Sequence, residues 1–291
     1  MLSDIATPGP AARGRTRRER DGSHEYGRRW GWRAGVGYAL AAITALPILW
    51  LLVTALKPAS ETFSMSLGPW TLDNFGYVLT RIPMPRYLLN SAIVSIAVTF
   101  IALVFHSMAA YALARLRFRG SALMFNLIVA TLMVSLPVIL VPLFLIVRAI
   151  GLIDNLWGII VPGIFNAFGI FLLRQNFLGI PRELEEAATI DGCGYWGRYW
   201  HVVLPLGRPI LVSLGILFFL ANWNAFMWPK TILSTQELWM VQQGLASMQG
   251  QYGSDWNYIT AAAMIIALPT MIMFFFGQRA LVNSIKTSGL K

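Results

Sequence analysis

Four carboxylates, Glu183, Glu185, Glu186 and Asp191, crowd into nine residues of a chain that holds only 13 acids among 291 residues. Paired acids can trade protons and clustered acids can hold a cation. These, however, fall on one short helical stretch with no pocket-forming partner nearby in sequence. The other reactive residues are sparse. His24, His106 and His201 are too scattered for a zinc site, and the H-E-x-x-H and G-x-S-x-G patterns are absent. None of the four lysines follows a glycine, so the chain carries no Walker A cradle for ATP. The single cysteine, Cys193, cannot form an internal disulfide and reads as a small loop residue. His106 lies inside an apolar run, where it suits either a proton relay or a hydrogen-bonded packing role. No Asp, Glu, Lys or Arg occupies the middle of any apolar run, which argues against a carrier driven by protons or sodium. A membrane-embedded enzyme lacks its catalytic set for the same reason. No metal or cofactor is expected in this chain, and energy for any movement must come from another subunit.

The acidic cluster has a clear local frame. Pro181 suits the first position of a helix, where its missing N–H costs nothing. Glu183, Glu185 and Glu186 then favour the positive end of the helix dipole. Leu184, Ala187, Ala188 and Asp191 follow i, i+3, i+4, i+7 spacing, and the small alanines let another surface come close. Gly192 is placed to end the helix with a left-handed cap. A second short helix is predicted over Tyr195 to Val203, with Tyr195, Trp196, Tyr199 and Trp200 on one aromatic face. Pro205 and Pro209 close the segment. Anchoring to anionic headgroups suits the aromatics but not the glutamates; a docking surface for a cytoplasmic protein suits both arms.

The body that carries this segment is apolar. The chain is 56% hydrophobic and 12% charged, with mean hydropathy +0.60, against about 25% charge in a soluble domain. Uncharged runs cover residues 34–56, 87–114, 120–147, 155–173, 209–229 and 256–278. A bilayer core of about 30 Å needs roughly 20 such residues in a helix, so an all-α membrane protein with six transmembrane helices is predicted. The runs do not alternate as barrel strands do. Span four carries Pro162, Gly163, Asn166 and Gly169, a mix suited to the interior of a bundle. Span five is expected to end near Pro229 and span six near Gly277, with outer loops over 57–86 and 230–255. One domain covers 30–291, its cytoplasmic loop 174–208, after a tail over 1–29 whose composition predicts disorder and no cleaved signal. Counted by alternating sides, 18 basic residues lie on the side of the termini and of loop 174–208, and five on the other. Both termini are therefore expected in the cytoplasm. That topology, rather than nucleic acid, accounts for the net charge of +10.

The stretch Glu186–Pro205 resembles the EAA signature, E-A-A-x3-G-x9-I-x-L-P, of permease subunits in binding-protein-dependent ABC importers. Glu186, Ala187, Ala188, Gly192, Leu204 and Pro205 match, and Val202 stands for the isoleucine. Further stretches are similar to the maltose-transporter type of sugar permease: WTLDNF from Trp70, AAYALARLRFRG from Ala109, GLIDN from Gly151, IPRELEEAA from Ile180, NWNAFMWP from Asn222 and the tail SIKTSGLK from Ser284. The resemblance implies a type I importer permease in the bacterial cytoplasmic membrane. It implies a second permease as partner, a dimer of ATP-binding subunits that hold ATP and Mg, and an extracytoplasmic solute-binding protein that meets the outer loops. It also implies that Glu186, Ala187, Ala188, Asp191, Gly192, Leu204 and Pro205 form a coupling segment seated on the ATPase, with Glu186 either pairing with a partner base or only favouring its own helix. The cargo implied is a sugar, or alternatively glycerol 3-phosphate, a polyol or an amino sugar. Candidates for the solute path are Asn166, Asn222, Trp223 and Asn224; helix–helix hydrogen bonding is the competing role for each Asn. Trp223 is suited to stacking on a sugar ring and Trp228 to the interfacial belt.

Overall fold

The computed structural model describes residues 18–64, 68–251 and 255–288. All regular structure among these residues is helical. Two units can be distinguished, one through Leu51 and one from Leu52 onward. The described residues of the first form a single helix, the greater part of α1 (Arg18–Ala55). Its backbone is helical from Arg18, so residues 18–29 depart from the predicted disorder; residues 1–17 lie outside the described residues. Adding a turn to an existing helix avoids the nucleation cost, and Arg and Glu are good helix formers.

The second unit is built around α3 (Met84–Arg115), preceded by the short α2 (Asp73–Thr80). Pro85 sits in the first turn of α3, where its missing N–H is harmless. With 32 residues α3 is about 48 Å long at 1.5 Å per residue. It contributes to all three buried apolar clusters. Near Met84 it packs with α2, α13 and α14 through Tyr87, Val78, Met248 and Ile259. Midway, Val94 and Val98 meet Ile159, Ile160, Trp228 and Ile232. Towards Arg115, Ala102, Ala110 and Tyr111 meet Leu173, Phe177, Tyr199 and Leu214.

The remaining helices follow in order as α4 (Ser121–Thr131), α5 (Leu136–Ala149), α6 (Trp157–Ile164), α7 (Ala167–Leu178), α8 (Arg182–Ile190), α9 (Tyr195–Arg198), α10 (Leu204–Leu206), α11 (Arg208–Trp223), α12 (Met227–Ile232), α13 (Val241–Gln251) and α14 (Trp256–Ser288). A π-turn, Tyr199–Val203, joins α9 to α10. Four helical stretches can cross a bilayer without a sharp bend: Ala34–Ala55, Met84–Arg115, Trp157–Leu178 and Trp256–Gln278. Six spans result when each of two bent pairs counts as one.

Hydropathy alone does not show those bends. The third run breaks after Thr131 and turns by 104° into α5. Ser135 is extended at the start of α5 and Pro137 occupies its first turn, so the break is a helix start that hydropathy cannot register. Span five bends by 74° where α10 meets α11 at Gly207. It also ends at Trp223, not near Pro229; Asn224–Phe226 interrupts it and α12 begins anew. Loop 230–255 contains α13, whose Gly244 lets the Tyr87 ring come where a Cβ would stand. The last span continues as helix to Ser288, beyond Gly277, and residues 289–291 lie outside the described residues.

The two ends of α3 are tied to the rest of the unit by polar side chains. At the Met84 end, Asn90 Nδ2 donates to Glu237 O (2.8 Å) and Trp239 O (3.0 Å). Ser91 Oγ accepts from Val241 N at 2.9 Å, and Tyr87 Oη accepts from Gln236 Nε2 at 2.8 Å. The same strap is held from the GLIDN loop. Asp154, at φ 57°, accepts from Ser234 N and Thr235 N at 2.9 Å each, and from the Thr235 hydroxyl. The Thr235 hydroxyl, then the Thr235 and Ser234 amides, hold the Asp154 carboxyl below its ordinary value.

Candidate functional site

The acidic segment folds as α8. Pro181 precedes it in extended conformation, and Glu183 and Glu185 lie in its first turn. Gly192 adopts φ 85°, its N–H donating to Thr189 O (3.0 Å) while Cys193 N–H donates to Ala188 O (2.9 Å). These paired bonds are the Schellman arrangement, which satisfies the last carbonyls and fixes where the chain leaves the helix. A side chain at φ 85° would be strained, which is why glycine stands there.

The faces of α8 differ from the predicted ones. Leu184 (45% exposed), Ala187 and Ile190 (88% exposed) are turned outward, together with Glu183 and Glu186. Ala188 is half-buried, and Asp191 is exposed as the C-cap residue. Glu185 alone is turned in, 7% exposed. Its Oε1 lies 3.0 Å from Arg115 Nε, with side chains 9% and 5% exposed respectively. The Nε–H is not aimed at that oxygen, so the contact is attraction between charges rather than an aligned hydrogen bond. Arg115 Nη2 also donates to Phe177 O and Ile180 O, the carbonyls that close α7. Arg174 Nε donates to Leu113 O at 3.2 Å. One guanidinium thus joins the ends of α3 and α7 to α8.

The aromatic arm splits in two. Tyr195, Trp196 and Trp200 are exposed, whereas Tyr199 is buried with its hydroxyl 2.8 Å from Ser107 Oγ. The predicted single aromatic face is therefore a core tyrosine flanked by exposed rings, because the π-turn rotates successive side chains away from helical register. Leu204 and Pro205 do not reach the open face of α8. Leu204 packs with the α7–α11 cluster, and Gly207 lies so close to Phe177 that a Cβ would come within 2.7 Å of the ring.

The predicted path residues separate in the same way. Asn166 is exposed and caps α7, its side chain accepting from Phe168 N at 2.9 Å. Beside it Phe165, at the break between α6 and α7, is 82% exposed. Asn222 is half-buried facing the same break: a Cβ on Gly163 would lie 3.6 Å from its Oδ1. Its amide donates to Phe218 O at 2.8 Å. Asn224 is exposed and its Oδ1 accepts from Gln242 Nε2 at 3.2 Å. Trp223 departs from the expectation. It is 2% exposed, stacked on Phe219, with its indole N–H donated to Ile266 O (3.1 Å), so it holds α11 to α14 and offers no face to a sugar. Trp228 is likewise buried, donating to Gly158 O, rather than lying in a belt. His106 packs edge-on to Phe218, with Nε2 2.8 Å from Ile164 O at the break, which is the hydrogen-bonded packing role.

Residues that the sequence did not single out are Glu185 as a linking group and Arg115 as its partner.

Residues 106–287 match the family described as binding-protein-dependent transport system inner membrane component. The arabinooligosaccharides transport system permease protein AraQ of Halalkalibacterium halodurans is 32% identical over 268 residues, covering 89% of this chain and 96% of that protein. The sn-glycerol-3-phosphate transport system permease protein UgpE of Yersinia pestis is 33% identical over 254 residues, covering 83% and 90%. Among solved structures, a bacterial ABC transporter involved in the import of the acidic polysaccharide alginate superposes with TM-score 0.76 at 25% identity, covering 87% of this chain and 96% of that one.

Proposed function

The chain belongs to the binding-protein-dependent transport system inner membrane components, and we infer that α8 is the part of this importer permease that receives motion from ATP-hydrolysing subunits. It is a multi-pass membrane subunit of the sugar ABC importer class. The observation that carries the finer reading is the open face of α8, where Leu184, Ala187 and Ile190 stand exposed on a helix closed at its C-terminal end by the Gly192 cap and held from behind by a buried ion pair. An apolar ridge in water, rimmed by Glu183 and Glu186, is what a groove on a soluble partner would bury. ATP and Mg belong to that partner. The excess of basic residues on the side of α8 and both termini supports a cytoplasmic location for them. The solute path runs past the α6–α7 break, where Phe165, Asn166 and Asn222 offer ring and amide surface, against a second permease chain and under a solute-binding protein. The cargo is an oligosaccharide or related glycoside, a reading supported by the name of the arabinooligosaccharide relative.

The test is the assembled importer with its ATPase, second permease and binding protein. Ala187→Trp and Gly192→Pro should leave the chain inserted in the membrane while abolishing solute-stimulated ATP hydrolysis. Unchanged stimulation in both variants would remove α8 from the coupling role. Calorimetric screening of the binding protein against arabinotriose, lactose and glycerol 3-phosphate decides the cargo class; tight binding of glycerol 3-phosphate alone would refute the oligosaccharide reading.

A further inference from the structure

We propose that Arg115 and Glu185 are positioning residues for transport: their buried pair is the joint through which displacement of α8 is carried to α3 and α7. The proposal rests on the coupling role of α8 and adds the means of transmission. Glu185 is the only side chain of α8 classed as buried, and its carboxylate meets Arg115 at 3.0 Å. Arg115 Nη2 donates to both Phe177 O and Ile180 O, so the guanidinium cannot follow α8 without drawing on the end of α7. Arg115 is itself the last residue of α3, the helix shared by all three apolar clusters. Between α7 and α8 only Gly179–Pro181 intervene, too short a link to absorb a shift independently.

A buried pair of this kind is a poor source of stability, since replacing both partners by apolar residues is often neutral. It is, however, a close contact between two charged side chains shielded from water, and breaking one side leaves a charge stranded. That asymmetry separates a transmission role from a merely structural one.

The experiment uses the complete importer in proteoliposomes, with Cys193→Ser and Phe165→Cys installed so that maleimide labelling at the α6–α7 break reports on the bundle. In the otherwise wild-type chain, ATP with vanadate should change the labelling rate at least about fivefold. Glu185→Gln keeps the shape of the side chain, and should still co-purify with the ATPase subunits while the change falls below about twofold. The double variant Arg115→Met/Glu185→Leu removes the stranded charge and should regain thermal stability, yet the labelling response should stay lost. A full response in Glu185→Gln, or a response that returns together with stability in the double variant, overturns the proposal; where the double variant does not assemble, Glu185→Gln alone decides. Absence of any response in the parent chain refutes the coupling reading itself, and the joint with it.

Discussion

The two ends of α3 solve the same problem with different chemistry. At the Met84 end, Tyr87, Asn90 and Ser91 share the work of holding the strap from Gln236 to Val241, and Asp154 grips Ser234 and Thr235 from another loop. No single bond is decisive, and those of Asn90, Ser91 and the Asp154 carboxylate give partners to backbone groups. At the Arg115 end one guanidinium serves α7 and α8 together. The first arrangement is tolerant and static. The second has further ties from Arg174 and Ser107 but routes the link to α8 through one residue, which suits the proposed transmission of force.

Substitutions should expose that contrast in graded form. The largest effect is expected from Arg115→Met, which strands the Glu185 carboxylate and should cost about 3–5 kcal/mol, seen as a large drop in thermal unfolding temperature in detergent. A drop no greater than that of the outer substitutions would erase the distinction. Next, Asn90→Leu removes two bonds and takes from Trp239 O its Asn90 donor, while Glu237 O keeps Arg86 Nε, at about 1–3 kcal/mol; the chain should remain folded because Ser91 and Tyr87 still hold the strap. Gly192→Val forces a β-branched residue into the left-handed region, with a penalty of about 1–2 kcal/mol, and hydrogen exchange should quicken in α8 while the bundle stays protected.

The smallest effect concerns Asp154. Its folded-state pKa is depressed by the Thr235 and Ser234 donors, so its contribution is present above the unfolded value of about 3.9 and fades as pH falls through the lower folded value. Asp154→Asn should cost about 1 kcal/mol at neutral pH after allowance for solvent screening. The difference from wild type should be constant from pH 6 to 8 and shrink in acid below pH 4; a difference that instead grew in acid would refute the assignment.

Much of this was written in the chain's solubility. Six uncharged runs correspond to the six potential spans, because lipid demands a continuous apolar helix and little else imitates one. The cap at Gly192 was legible too, since few residues accept its φ. The breaks were not. Leu132–Ser135 is as apolar as its neighbours, and only Pro137 hinted at a new helix start. Trp223 shows the limit for side chains: an indole between two asparagines can turn to the path or to the core, and Ile266 O, 43 residues away, decides. Glu185 illustrates a second limit. Its neighbour Glu186 carries the signature, while the cation that fixes Glu185 lies 70 residues earlier, on a hairpin whose arginines already had an explanation in topology.

The bareness of Ile190 has a bearing on how cells must handle this subunit. If α8 seats on an ATP-hydrolysing partner as proposed, a copy inserted into the bilayer before that partner arrives holds a greasy knob out in water, where chaperones and proteases look for misfolded chains. Orphan copies should therefore be short-lived, and the abundance of the importer should be governed by whichever component is synthesised least.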